Sequence, residues 1–375
     1  MYQIKGKIDT NNAAKFEEEI MAVKPNEIDA SELQYISSAG LRVLLKLTKT
    51  VGEVTILNVN SDVYDIFDIT GFTTILNVKK AFRRVGIEGM PLIGKGMTGS
   101  VYRMDEETVI KVFSPNISFD LLIKQENDKA RNAFISGVPT AIPYDIVRVG
   151  DCYGTVYELL NAKDLVTIIT EDKEHMDDYI REFADTVKKM HSIKVDTEKF
   201  EPIKTKSIAA VSYLASALTE EEMQKIRAIY ANIPDRNTFI HGDCHIGNAM
   251  VQDGEMMFID LATSGMGHPI IDMTSMYSLF VERADNPQAI SESPILRNFT
   301  QAEIKRIWNV FIRAYLKTED EEFIKNAERQ IAMLSLTRKL FMIIAMPGML
   351  SPEAFSAMKD AVIAYYDNGL EPICF

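Results

Sequence analysis

Two carboxylates and a carboxamide in the second half of the chain have the types and spacing for magnesium-assisted phosphoryl transfer. Asp243 and Asn248 lie in His241-Gly242-Asp243-Cys244-His245-Ile246-Gly247-Asn248, and Asp260 follows Phe258-Ile259. Between them, Ala249 to Gln252 and Glu255 to Ile259 read as two short strands joined by Asp253-Gly254, a strong hairpin-turn dipeptide. Folding that hairpin returns Asn248 to the side of Asp260. Hard oxygen donors at the open end of a hairpin suit Mg²⁺ carried on nucleotide phosphates, with Asp243 upstream to orient an attacking hydroxyl. Taken alone, His-Gly-Asp is a common loop tripeptide, so the elements that would position these groups decide the matter.

Gly94-Lys95-Gly96-Met97-Thr98-Gly99-Ser100-Val101 has the G-x-G-x-x-G-x-V spacing. Leu92-Ile93 before it and Val101 to Met104 after it favour strand, which places the loop in a hairpin, whereas a dinucleotide-binding turn would open a helix after its last glycine. Glycines there let backbone N–H groups approach phosphate oxygens. After a turn at Asp105-Glu106-Glu107, pairing of Thr108 to Phe113 sets Lys111 opposite Val101, beneath the loop. Asn116 or Ser118 would cap a helix running to about Ile135, with Phe119, Leu122, Glu126, Ala130 and Ala133 on one face. A glutamate within an apolar stripe is costly unless a cation neutralises it, and Lys111 is the candidate. The alternative is a Glu126 at the stripe's margin, reaching water.

Gly94 to Val101, Lys111, Glu126, His241 to Asn248 and Asp260 resemble, in order and type, the eukaryotic-like kinase superfamily. The form His-Gly-Asp-x-His-x-Gly-Asn is similar to its aminoglycoside phosphotransferase and choline kinase branch. Gly242 and His245 stand where protein kinases usually have Arg and Lys. Leu261-Ala262 replaces Phe-Gly after Asp260, and no Ala-Pro-Glu tripeptide occurs. The resemblance implies a bilobal fold with a helical C-terminal lobe, ATP as donor with GTP the other candidate, Mg²⁺, and a small-molecule hydroxyl as acceptor. It implies that Gly94, Gly96, Gly99 and Val101 cover the phosphates, that Lys111 holds them and that Glu126 positions Lys111. Asp243 would be the catalytic base, and Asn248 and Asp260 the metal ligands. The strand Gly154 to Leu160 would enter a hinge whose backbone at Glu158 to Leu160 pairs with the adenine edge. His241 and Asp272 would brace these loops.

Residues before this region alternate apolar strands, at about Tyr2 to Ile8, Glu27 to Ala30 and Val54 to Val59, with helical stretches. That pattern predicts a parallel or mixed sheet with helices on its faces. A helix after Ser37-Ser38 would bury Leu41, Leu44, Leu45 and Val51. Ile28-Asp29-Ala30-Ser31, then Tyr35 to Leu45, and Ile69-Thr70-Gly71-Phe72 resemble the STAS domain of anti-sigma-factor antagonists. The resemblance implies a protein partner and makes Ser38 the candidate phosphoacceptor. Ser37 and Ala39 depart from the acidic residue and serine that often flank that position, and a plain helix cap is the competing role for Ser38.

The expected organisation is α/β followed by α+β: a STAS-like sheet with helices at 1–80, a kinase-like N-lobe at 81–160 and a C-lobe at 161–375. The boundary falls near Lys79 to Gly89, where Lys79, Lys80, Arg83 and Arg84 interrupt the apolar pattern. Helices at Gln301 to Leu316 and Glu319 to Phe341 would wall the acceptor pocket. A hydrophobic fraction of 46% over 375 residues supports ordinary cores. A net charge of −13 argues against a nucleic-acid partner and is compatible with a cationic substrate. The longest apolar run, Leu340 to Leu350, is too short to span a bilayer and is broken by Pro347-Gly348, so no membrane partner and a cytoplasmic location are expected. Cys152, Cys244 and Cys374 have no metal-ligand spacing, and Cys244 reads as loop filler. His191 reads as a structural helix-end residue, and no role for His245 follows from its position.

Three functional readings follow: a small-molecule kinase with a regulatory or tethering STAS domain, a switch that phosphorylates Ser38 in cis or in trans, and a nucleotide-binding regulatory module without turnover.

Overall fold

The structure, a computed structural model, describes residues 1–96, 98–341 and 351–375, with backbone alone at 120 and 121. Met97 of the glycine loop and most of the apolar run Leu340 to Leu350, including Pro347-Gly348, lie outside the described residues. The chain divides into two compact units, Met1–Gly89 with Ile146–Gly154, and Met90–Asp145 with Thr155–Phe375.

In the first unit the strands β1 (Tyr2–Ile8), β2 (Glu27–Ile36), β3 (Thr55–Val59) and β4 (Asn77–Lys80) form one sheet in that order. Every neighbouring pair is parallel. Each of the first three strands is followed by a crossover helix, α1 (Ala13–Val23), α2 (Ser38–Val51) or α3 (Ser61–Ile69), which brings the chain back to start the next strand parallel to the last. The sheet is therefore parallel and not mixed. Its core gathers Ile28, Ile36, Leu44, Leu47, Ile56 and Phe67. On α2 the buried positions are Gly40, Leu41, Val43, Leu44 and Leu47, with Leu45 and Val51 only partly covered. A Cβ on Gly40 would meet Ile8 Cγ2 at 2.7 Å and Ile36 Cγ1 at 2.8 Å, so the first turn of α2 sits directly on the strand ends. Lys79 and Lys80, expected at a domain junction, belong to β4. Beyond it, Val85 donates its N–H to the Arg148 carbonyl at 2.8 Å and Arg148 donates to the Arg83 carbonyl at 2.8 Å, so 83–85 is paired backbone and not free linker.

The five-stranded antiparallel-rich sheet of the kinase-like region runs β5 (Leu92–Lys95), β6 (Gly99–Arg103), β7 (Thr108–Phe113), then β9 (Cys152–Glu158) and β8 (Pro143–Val149). Helix α4 (Lys124–Ile135) is preceded by a π-turn over Phe119–Ile123, in which Ile123 N–H reaches back to the Ser118 carbonyl. The helical segment thus begins directly after Ser118, one of the two expected caps, but as a π-turn and not as regular α-helix. The extra residue of the π-turn shifts the phase. Ile123, Glu126, Asn127, Ala130 and Ala133 are buried, while Leu122, expected on that stripe, is 48% exposed.

The C-terminal lobe carries β10 (Lys163–Asp164), α5 (Leu165–Glu171), α6 (Met176–Met190), α7 (Ile203–Ala210), α8 (Glu220–Ala231), β11 (Phe239–Ile240), β12 (Ala249–Gln252), β13 (Glu255–Phe258) and β14 (Gly265–Met266). Then come α9 (Ile270–Tyr277), α10 (Pro287–Glu292), α11 (Gln301–Leu316), α12 (Glu321–Leu340) and a helix over Pro352–Asp367. Both α8 and α11 open with a capping box, Thr219 with Glu222 and Thr300 with Glu303. One continuous core, including Phe183, Phe239, Phe258, Phe280 and Phe311, fixes these helices around the β12–β13 hairpin. Among the described residues no helix is long and apolar enough to cross a membrane.

Candidate active site

The β5–β6 hairpin closes with Gly96 N–H on the Gly99 carbonyl at 2.9 Å, and Gly94 pairs with Val101. A side chain at Gly99 would collide with the Val112 carbonyl, so the loop depends on glycine there. One strand further, Val101 pairs with Lys111, which puts the lysine under the loop. The Lys111 ammonium meets Glu126 Oε1 at 2.6 Å and lies 3.8 Å from Asp260 Oδ1. The Glu126 carboxylate is buried and Lys111 nearly so, whereas the Asp260 side chain is about half exposed. The buried pair is possible because each partner neutralises the other. Tyr157 Oη, 3.4 Å from Glu126 Oε1, adds a further donor, and burial first, then the Glu126 charge, pushes its phenol well above the ordinary value.

The β12–β13 hairpin turns on Asp253 and Gly254, both at positive φ, with Gln252 paired to Glu255. Such a two-residue turn matches the twist of the strands it joins. At the hairpin's open end Ile259 donates its N–H to the Asn248 carbonyl at 3.0 Å, which brings Asn248 beside Asp260. Asp260 itself has φ +62°, an uncommon left-handed conformation for a residue with a side chain. The Asn248 amide nitrogen donates to the Asp243 carbonyl at 2.9 Å, tying the backbone of the His241 to Asn248 loop to the hairpin and leaving the amide oxygen free of that bond.

The loop from His241 to Asn248 hangs on Asp272, which is fully buried on α9. Asp272 Oδ2 accepts from His241 N–H at 2.8 Å and from His191 Nε2 at 2.9 Å, and its Oδ1 accepts from Gly242 N–H at 2.6 Å. Burial disfavours the charged form, but these donors outweigh it and hold the Asp272 carboxyl below the usual carboxylate range. His191 sits at the end of α6 with its other ring nitrogen 2.9 Å from Tyr315 Oη. His241 places Nε2 3.0 Å from the Ile259 carbonyl and Nδ1 on the Asp243 N–H, and burial lowers its pKa, so the ring is a neutral brace. Gly242 has φ +83°, and a Cβ there would strike the Thr263 carbonyl. That close approach explains glycine at this position. Cys244 is fully buried filler.

Asp243 projects from this loop with its side chain about half exposed and Oδ2 3.6 Å from His245 Nε2. Partial burial opposes its ionisation, but the His245 contact and the positive field of Arg338 help keep its carboxyl below the usual range. His245, with no role apparent from sequence, also accepts Gly247 N–H at 3.2 Å, so it holds both the loop and the carboxylate. Two further cations escaped the sequence reading. Lys129 donates to the Ala262 carbonyl at 2.6 Å, and burial first, then repulsion from Lys206, lowers its pKa to about 8. Its signal was present in sequence, three residues after Glu126 on the same helix face. Arg338, from α12, donates to Gly242 O at 3.4 Å, to Ser275 Oγ at 3.2 Å and to Thr274 Oγ1. A separation of 96 positions from Gly242 left no local signal for it.

At the hinge, Glu158 donates its N–H to the Ile142 carbonyl at 2.9 Å, its carboxylate accepts Ile142 N–H at 3.2 Å, and Leu159 N–H is taken by the Glu107 carbonyl at 2.7 Å. The Glu158 side chain is thus turned back into the sheet, and Leu160 stands two residues past the end of β9. In the first unit, Ser37 and not Ser38 caps α2, accepting Gly40 N–H at 3.4 Å. Ser38 is the first helical residue and is exposed.

The sequence that carries these residues matches a known family. Residues 90–294 match the family model described as the phosphotransferase enzyme family. The chain belongs to that family. It is accordingly a phosphotransferase, and residues 1–85 match the STAS domain model. A Bordetella bronchiseptica protein named as an anti-sigma factor antagonist, BtrV, is 36% identical over 84 residues, spanning 20% of this phosphotransferase and 72% of that protein. Among solved structures, a choline/ethanolamine kinase family protein from Mesorhizobium loti aligns over 74% of this chain and 87% of its own, at 16% identity and a TM-score of 0.44. An aminoglycoside phosphotransferase from Streptomyces rimosus aligns over 66% of this chain and 93% of its own, at 16% identity and a TM-score of 0.42.

Proposed function

We propose that the chain transfers the γ-phosphoryl group of ATP to a hydroxyl of a small molecule in a Mg²⁺-dependent reaction, with the STAS domain regulating or tethering the enzyme. The observation that carries this reading is the position of Lys111, 2.6 Å from buried Glu126 and 3.8 Å from the open Asp260 carboxylate. The ammonium is held by one carboxylate and aimed at another that needs a cation of its own.

The donor set fits Mg²⁺. Among the described residues no three His, Cys, Asp or Glu side chains come close enough to hold a metal by themselves. One carboxylate, Asp260, and one amide oxygen, Asn248, are what a magnesium ion borne on phosphates takes from protein. When bound, the ion neutralises charge on the phosphate oxygens. Gly94, Gly96, Gly99 and Val101 cover the phosphates, Lys111 holds them and Glu126 fixes Lys111. The backbone at Glu158 and Leu160 takes the adenine edge, with ATP or GTP decided there.

In the transfer the acceptor oxygen forms its bond to the γ-phosphorus as the bond from that phosphorus to the bridging oxygen breaks. ADP leaves with the electron pair. The Asp243 carboxylate, kept ionised by His245, orients the hydroxyl and receives its proton. The test is a Mg²⁺-nucleotide assay against amino sugars, amino alcohols, sugars and hydroxy acids. Asp243→Asn should lower acceptor-dependent turnover by about a hundredfold or more. Turnover that survives this substitution unchanged removes Asp243 from the mechanism.

A second reading is supported by the exposure of Ser38 and the assignment of the capping duty to Ser37, which leaves the Ser38 hydroxyl accessible for modification. It makes Ser38 a phosphoacceptor, in cis or in trans, that switches a protein partner of the STAS domain. Mass spectrometry after incubation with Mg²⁺-ATP reads it directly, and an unmodified Ser38 counts against it. A nucleotide-binding module without turnover is disfavoured, because Lys111, Glu126, Asp243, Asn248 and Asp260 are all present and assembled.

A further inference from the structure

A cavity of about 200 Å³ opens beside the loop from His241 to Asn248, lined by Gly242, Thr263, Ile233, Ile271, Leu334 and Arg338. Tyr230, Ser207 and Thr274 complete its polar wall. It adjoins Asp243 through Gly242 and adjoins Asp260 through the turn that ends at Thr263. A molecule seated there therefore touches the backbone of the loop that carries Asp243.

The lining contains no Asp or Glu. Its one charge is Arg338, whose guanidinium is always protonated. All its hydrogen bonds go to neutral oxygens: the Gly242 carbonyl and the hydroxyls of Thr274 and Ser275. Among the described residues no carboxylate lies within ion-pair distance of it, although its field acts on the Asp243 carboxylate, whereas Arg313 is bridged to Glu319 and Glu321 and Arg306 to Asp177. Residues 342–350, which follow it in sequence, contain no acid either. Arg338 remains exposed, so its fork of donors is open to a ligand. A cation fixed by three neutral acceptors at the mouth of a largely apolar cavity is complementary to a carboxylate or phosphate, which it can grip with two parallel hydrogen bonds. It is unfavourable to an ammonium group, for which the lining itself offers no counter-charge.

We propose that this cavity is the acceptor site and that the acceptor is a small hydroxylated molecule with an apolar body and one oxyanion, anchored by Arg338. The proposal rests on the reading of the chain as a small-molecule kinase and narrows its substrate class. It also reverses the expectation of a cationic substrate drawn from the net charge of −13, because the one charge in the cavity lining is opposite in sign to the total. Arg338 acts here as an anchor of the substrate and not as a proton carrier.

The test uses the full chain and two matched sets of probes. The first is glycerate, glycerol and aminopropanediol, with glycerol phosphate added to separate phosphate from carboxylate. The second is mandelate, mandelamide and phenylethanolamine, which share an apolar body. Binding is read by calorimetry without nucleotide, and transfer is read with Mg²⁺-ATP. The expected result is that the anionic member of a set binds about tenfold to a hundredfold tighter than its neutral and amino counterparts. Arg338→Gln should remove that preference and Arg338→Lys should keep part of it. The proposal is overturned if the neutral or amino members bind as well as the anionic ones, if no member of either set binds, or if Arg338→Gln weakens all members alike, which is the signature of a brace for Gly242 only. The wild-type ranking needs no variant, so a folding defect in Arg338→Gln leaves the test decisive. Anion preference without any transfer would sink the kinase reading and spare the site, and transfer to amines alone would do the reverse.

Discussion

Removing Glu126 should do more than delete one contact, because Lys111 has a second carboxylate within reach. Coulomb attraction falls as the inverse of distance, so at 2.6 Å against 3.8 Å the pull of Glu126 on the ammonium is about one and a half times that of Asp260. In Glu126→Gln the balance reverses and Lys111 swings to Asp260, which takes both the proposed phosphate anchor and a proposed metal ligand out of place. Truncating one partner of a buried pair costs about 3–5 kcal/mol. The waiting Asp260 recovers part of that, so a stability loss of about 1–3 kcal/mol is expected. The same range, as lost interaction with the nucleotide, corresponds to a rise of about ten- to a hundredfold in nucleotide Kd. The assay is a double-mutant cycle: nucleotide titration and urea melts of the wild type, Glu126→Gln, Lys111→Met and the double variant. Once Lys111 is gone, Glu126 has nothing to position, so the double variant should bind nucleotide no more weakly than Lys111→Met. Independent, fully additive losses would refute the coupling, and an unchanged Kd in Glu126→Gln would refute the role of the pair.

Three other expectations follow from single contacts. Asp272→Asn leaves at least one of the His241, Gly242 and His191 donors without an acceptor, a loss of about 1–3 kcal/mol per orphan in chemical denaturation. Because the folded carboxyl of Asp272 lies below its ordinary value, its stabilising effect is complete above about pH 4 and is lost as pH falls through the lower folded value, so the gap between wild type and variant should close only in stronger acid. Gly99→Ala should destabilise the N-terminal lobe sheet by about 1–3 kcal/mol and weaken nucleotide binding, since its Cβ meets the Val112 carbonyl; an unchanged melt would mean the hairpin relaxes at no cost. Ser37→Ala should lower stability by about 1 kcal/mol through the lost cap, while exposed Ser38→Ala should be near neutral, a contrast that differential scanning calorimetry can resolve.

The local elements of the site were legible because they obey short-range rules. The Asp253-Gly254 turn, the glycine hairpin and its register with Lys111, and the helix at Gln301–Leu316 all follow from residues within a few positions of one another. The start of α4 was not, because a π-turn at Phe119–Ile123 is a matter of one inserted residue and no propensity marks it. It moved Leu122 out of the stripe while Glu126 stayed in, so the ion pair forms although the face drawn for it was partly wrong.

What the sequence determined by itself is the set of chemical groups and their local geometry: which carboxylates, amide and lysine occur, and which turns present them. Only tertiary structure decided which distant groups join them. Asp272 reaches back some thirty positions to hold the His241 to Asn248 loop, His245 turns onto Asp243, and Arg338 arrives from α12, 96 positions beyond Gly242. A hairpin's register is fixed by neighbours along the chain. The counter-charge of a cavity is fixed by whichever helix face packs there, and that depends on burial summed over the whole lobe.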